Sequence, residues 1–148
     1  MASLTAAGSA LAISAGSPAT NDAAGFAALT FTEIGGIDKI GTIGSTFAKV
    51  EFQPLKGAKQ KHKGSVDYGS LQPSLAIDDA DAGQTLLRTA AAHQTALYAF
   101  MVTLPDGAKR YFQGKVFGFP ETIDGADSIV MAAPTVEINT VPVKVAAV

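Results

Sequence analysis

The chain has no cysteine, no tryptophan and only two histidines among its 148 residues. Without cysteine, neither a disulfide framework nor a zinc-thiolate site can form. The two histidines sit in unrelated settings. His62 lies among lysines with no carboxylate beside it to orient it, and His93 ends a helical stripe, where a cation suits the negative pole. Gly35-Gly36 and Gly41–Gly44 are not followed by Gly-Lys-Ser/Thr, so no phosphate loop is present. None of the serines stands in a nucleophile elbow. These absences lead to the expectation that the chain is not an enzyme and holds no cofactor and no metal.

Charge and long apolar runs are scarce too. Charged residues make up 16% and aromatics 7%, while the 47% apolar fraction is rich in alanine. A quarter charged is typical of a soluble domain, and a net charge of −2 gives little electrostatic help to a freely dispersed monomer. A thin core and a weakly charged surface suit a protein whose surface is covered by neighbours. No window approaches the ~20 apolar residues needed to cross a bilayer. Residues 1–18 lack Lys and Arg before Leu11, and their longest apolar stretch, Ala10 to Ile13, is too short for a signal peptide. The expectation is one soluble domain that is not exported and has no membrane partner.

What is present is mostly strand pattern. Residues 27–34, 45–53, 65–77, 96–104, 109–119 and 128–141 read as strands. The clearest alternation sets Leu71, Pro73, Leu75 and Ile77 against Ser70, Gln72, Ser74 and Ala76. Pro73 cannot donate to a ladder, which implies an edge or a bulge. Pro105-Asp106-Gly107 signals a hairpin turn. One helix is expected from about Asp79 to His93, with an apolar stripe at Leu86, Leu87 and Ala90. The acids Asp78, Asp79 and Asp81 fit its N-cap better than a metal or acid/base site, which needs side chains converging from several segments. Residues 1–26 are small and polar, and read as a loose arm that is either frayed or ordered against a partner. The domain proper is expected over 27–148, with a weakly structured tail from Val141.

The most unusual segment is Pro54 to Gly64, read as a long inter-strand loop. Lys56, Lys59, Lys61 and Lys63 fall within eight positions of it, with His62 among them. A solvated loop, a dock for an acidic patch on another subunit, and a weak phosphate contact all suit it. Specific nucleic-acid binding does not, because no aromatic is interleaved and the pI is near 5.6.

The order of parts resembles the tail tube (major tail) proteins of long non-contractile-tailed bacteriophages, over about residues 1–145. The segments that carry it are Lys-Gly-Ser-Val-Asp-Tyr-Gly-Ser-Leu (63–71), Asp-Ala-Gly-Gln-Thr-Leu-Leu-Arg (81–88), Tyr-Ala-Phe-Met-Val-Thr-Leu-Pro-Asp-Gly (98–107), Tyr-Phe-Gln-Gly-Lys-Val (111–116) and Pro-Thr-Val-Glu-Ile-Asn (134–139). The resemblance implies a mainly β fold: an antiparallel β-sandwich or open barrel flanked by one α-helix, with a long inter-strand loop and an extended N-terminal arm. It further implies homohexameric rings that stack into a virion tail tube, assembled in the host cytoplasm. The tube would pass viral DNA without holding it and would meet tape-measure, tail-tip and terminator proteins. On this basis Lys56, Lys59, Lys61, His62 and Lys63 are expected at inter-ring or inter-subunit contacts. Ser70, Gln72 and Ser74, or Glu137 and Asn139, are expected to face the lumen, because a non-adhesive channel wants polar, non-basic side chains. The alternatives are a type VI-like secretion tube protein and, further off, a β-sandwich binding module.

Overall fold

The computed structural model describes residues 3–147. In chain order the elements are β1 (Ala10–Ser14), α1 (Ala23–Ala27), β2 (Thr32–Glu33), β3 (Ile37–Lys39), β4 (Thr46–Phe52), β5 (Gln60–Asp67), β6 (Ser70–Leu71) and β7 (Ser74–Ala76). They continue with α2 (Ala82–Ala92), β8 (Tyr98–Thr103), β9 (Lys109–Gly118), β10 (Glu121–Thr122), β11 (Met131–Ala132), β12 (Thr135–Ile138) and β13 (Val143–Val145). A seven-stranded antiparallel sheet runs β2-β1-β8-β9-β12-β6, with β13 also on β9, and a four-stranded sheet runs β10-β11-β7-β3. The core lies between them, with α2 closing one side. The fold is the expected β-sandwich or open barrel flanked by one main helix.

Alternation decides what fills the core. On β8, Tyr98, Phe100 and Val102 point inward, and on β9 Phe112 and Val116 do the same. Phe100 pairs with Phe112 across the ladder and their rings stack at 5.4 Å. The turn between these strands is the expected one. Gly107 takes a positive φ of 95° that favours glycine, and the Asp106 carboxylate accepts the Ala108 N–H.

The helix is shorter than the sequence suggests. Asp81 is its N-cap, accepting the Gln84 N–H at 2.9 Å, and His93 is its C-cap. The buried line is Gly83, Gln84, Leu87 and Ala90, with Leu86 only partly covered. Gly83 is required by close approach, since a Cβ there would run into the backbone of Glu33 and Ile34.

Four expectations need correction. Residues 1–26 are not a loose arm throughout: β1 lies inside the large sheet, paired to β8 from Ala10↔Thr103 to Ser14↔Ala99, with Leu11 and Ile13 fully buried. Five residues with two large aliphatics are few, but they fill the space between β2 and β8. The strand expected over 27–34 shrinks to β2. Asp22 caps α1 instead, and Phe26, Leu29 and Phe31 pack on the outer face of the large sheet around Ala99 and Tyr111. The strand expected over 65–77 is broken between sheets, β6 pairing with β12 and β7 with β3 and β11. The tail is not unstructured, because β13 pairs with β9 opposite Tyr111.

Candidate functional site

The surface that stands out is the hairpin β4–β5, which forms a two-stranded sheet of its own. The long loop expected from Pro54 to Gly64 is therefore strand from Gln60 onward, and the connection is residues 53–59. Lysine and glutamine do not forbid a strand whose faces are both solvated. The Gln53 amide donates to the Pro54 and Gly57 carbonyls at 2.9 and 3.1 Å, closing the turn, and Leu55 at its tip is fully exposed. Every residue of β4 is exposed, as is every residue of β5 except Gly64.

Register sorts its side chains. Lys49↔Lys63 and Glu51↔Lys61 pair across the strands, so these four share a face; Val50↔His62 and Phe52↔Gln60 share the other. Phe47, two residues before Lys49, lies on the charged face, where the Lys63 ammonium sits 4.8 Å over its ring, and the register shift there places the extra residue on β5. Glu51 gathers Lys49 at 2.9 Å and Lys59 at 3.5 Å. Among the described residues Lys56, Lys61 and Lys63 make no ion pair, and neither does His62. Phe47, Val50 and Phe52 are each about half exposed. A lone two-stranded hairpin is marginal in water, so this ribbon presents apolar and cationic groups without a core to hold them.

The lumen-facing candidates fall into two groups. Ser70 donates its hydroxyl to Glu137 Oε2 at 2.7 Å across the β6–β12 pair, and Lys115 lies opposite Glu137 on β9. Asn139 follows at the end of β12, exposed, its N–H donating to the Gln113 carbonyl at 2.9 Å. These residues belong to the outer face of the large sheet. Gln72 is exposed in the crossover, and Ser74 pairs with Lys39 in the small sheet. The alternation through 70–77 is genuine in burial, but it runs over two sheets.

The acids behave as caps. Asp81 receives the Gly35 N–H as well as that of Gln84, and Asp78 receives the Ala80 N–H. One residue that sequence reasoning passed over ties this corner together. Buried Gln84 donates to the Gly35 and Ala76 carbonyls at 2.8 and 2.9 Å and accepts the Asp78 N–H at 2.9 Å. Its signal was available, since Asp81-x-x-Gln84 has capping-box spacing. Asp22 is the group whose acidity is shifted: the Gly25 N–H, then the Thr20 hydroxyl, hold its carboxyl below the ordinary aspartate value of 3.8. An open groove of about 710 Å³ is lined by residues 6–9 and 37–43 with Val102, Leu104 and Arg110.

No family model and no curated protein matches the sequence. Solved structures do. A chain of the sheath/tube terminator of an extracellular contractile injection system (PVC), in its extended state, matches with a TM-score of 0.73 at 7% identity over 99% of both chains. A chain of the anti-feeding prophage (AFP) baseplate, six-fold symmetrised, matches with a TM-score of 0.69 at 10% identity over 99% of both. A chain of the PVC sheath–tube complex, also extended, gives 0.67 at 8% identity over 99% of this chain and 93% of the other. At such identities the likeness is one of fold, and it spans the whole sandwich together with the hairpin.

Proposed function

We propose that the chain is a structural subunit of a tail-like tube. Six copies form a ring, rings stack, and the hairpin β4–β5 makes the contact between them. The observation that carries this is the hairpin itself, 22 residues of strand and turn from Thr46 to Asp67 with unpaired lysines and exposed phenylalanines on a ribbon too small to stabilise itself. The fold shared with chains of contractile injection systems supports the tube reading, and the six-fold symmetry of the baseplate structure supports the ring. Short open strand edges also suit ring closure, which pairs or covers them.

In its finer form the proposal is the tail tube of a long non-contractile phage tail, a virion component assembled in the host cytoplasm. DNA would pass through its lumen, and tape-measure, tail-tip and terminator proteins would be its neighbours. The row Ser70–Glu137 with Asn139 is the lumen candidate of the large sheet. A second reading, the tube of a contractile apparatus, is favoured by the kind of systems the similar chains come from. Negative-stain microscopy of the concentrated protein is the test. Rings or tubes about six-fold in projection are expected, and a monodisperse monomer at every concentration overturns the proposal.

A further inference from the structure

The two edges of the small sheet differ in charge. Its order, β10-β11-β7-β3, puts β3, which leads into the hairpin, at one edge and the β10–β11 connection at the other. Residues 46–67 of the hairpin carry five lysines against two acids. Residues 121–130 at the far edge carry Glu121, Asp124 and Asp127 with no basic residue, and all ten are exposed. Asp78 and Asp79 lie beside them, because the Ile77 N–H bonds to the Val130 carbonyl at 3.0 Å. The cation ion-paired there, among the described residues, is Arg88, which holds Glu121 at 2.7 Å and Asp79 at 3.3 Å. Asp124 and Asp127 have no ion-pair partner among the described residues, and Ile123 and Ile129 beside them are more than 70% exposed.

Resting on the tube reading above, we infer that the acidic β10–β11 edge of one copy is the seat for the hairpin of a second copy. Lys61 and Lys63 of the first meet Asp124 and Asp127 of the second, while Phe47 on the same face and Leu55 at the tip cover Ile123 and Ile129. The two edges are different surfaces of the subunit, so the contact is head-to-tail. A head-to-tail contact propagates into a ring or a filament instead of stopping at a dimer. Exposed ion pairs are individually weak, but the apolar side chains at both surfaces supply area that neither can bury within its own chain. Complementary charge fixes which copy meets which edge.

The test is charge reversal on the full chain, read by sedimentation and microscopy at one protein concentration. Lys61→Glu/Lys63→Glu and Asp124→Lys/Asp127→Lys are each expected to lower the assembled fraction at least tenfold while leaving the circular dichroism spectrum unchanged. Mixing the two variants, or combining all four changes in one chain, is expected to restore assembly, because every hairpin then meets an edge of opposite sign. Raising sodium chloride to about 1 M should weaken wild-type assembly. Wild-type tubes whose formation ignores both reversals, or reversals that neither mixing nor combination rescues, overturn this contact and leave the tube reading standing. A wild-type chain that stays monomeric overturns the tube reading and this contact with it.

Discussion

The sandwich and the hairpin are built from the same kinds of side chain and treat them in opposite ways. In β8 and β9, Phe100 and Phe112 are fully buried and stacked. In β4, Phe47 and Phe52 are more than half exposed, although Val50 and Phe52 share one face of the strand. Alternation says that a strand has an apolar face. Whether that face is covered by the same chain is set by what else the chain can bring to it. The sandwich has a second sheet and a helix to offer; the hairpin projects beyond both. The sandwich therefore carries the folding energy, and the hairpin carries the capacity to associate.

That division can be broken at its strongest point first. Deleting residues 1–15 removes β1 from between β2 and β8 and should abolish folding outright, seen as loss of the cooperative thermal transition. A truncated chain that still unfolds cooperatively near the wild-type temperature would return this segment to the status of an arm. Next, Phe100→Ala should cost about 3–5 kcal/mol, since the ring is fully buried against Phe112 and a cavity is left behind. Denaturant titration measures it. Gln84→Leu keeps the volume but strips three backbone groups of their partner, at on the order of 1–3 kcal/mol for each one left dry. A loss below about 1 kcal/mol would mean that water replaces the amide.

The hairpin should respond in the reverse sense. Val50→Ser/Phe52→Ser is expected to move folding stability by less than about 0.5 kcal/mol, as exposed substitutions do, while greatly reducing assembly. A large drop in stability would show that the ribbon shares the core after all. The smallest effect belongs to Asp22. Its carboxyl is held below the ordinary value, so the stability it gives α1 is present above that value and fades as the pH falls through the lowered one. Unfolding midpoints of the wild type and Asp22→Ala should differ at neutral pH and converge as the pH falls below that lowered value.

Legibility followed the same division. The β8–β9 hairpin, its turn and the Asp81 cap could be read because local chemistry and tertiary packing agree there. β1 could not, because Ala-Leu-Ala-Ile-Ser carries little strand signal alone and is recruited by β8, which lies far along the chain. The split of 70–77 was half legible. Pro73 announced an interruption, but the partners that draw β6 and β7 into different sheets come from 131–138. The lysine segment was recognised as an outward-facing feature and mistaken in form, since lysine-rich strands lack the apolar alternation that announces a sheet. Gln84 was missed because a glutamine in a helix's first turn is ordinary until its three partners are seen.

The placement of β1 has a consequence in time. Ala10 is made early but completes its ladder only when Thr103 is available. At ~5–20 residues per second, Leu11 and Ile13 wait roughly 5–20 s for β8, with only the short β2 to pair with meanwhile. The β4–β5 hairpin is local, and such hairpins form within about 1–10 μs. The nascent chain therefore displays its adhesive ribbon before it owns a body. The strand β1, captured only once β8 is made, delays the moment at which a subunit becomes fit to join others.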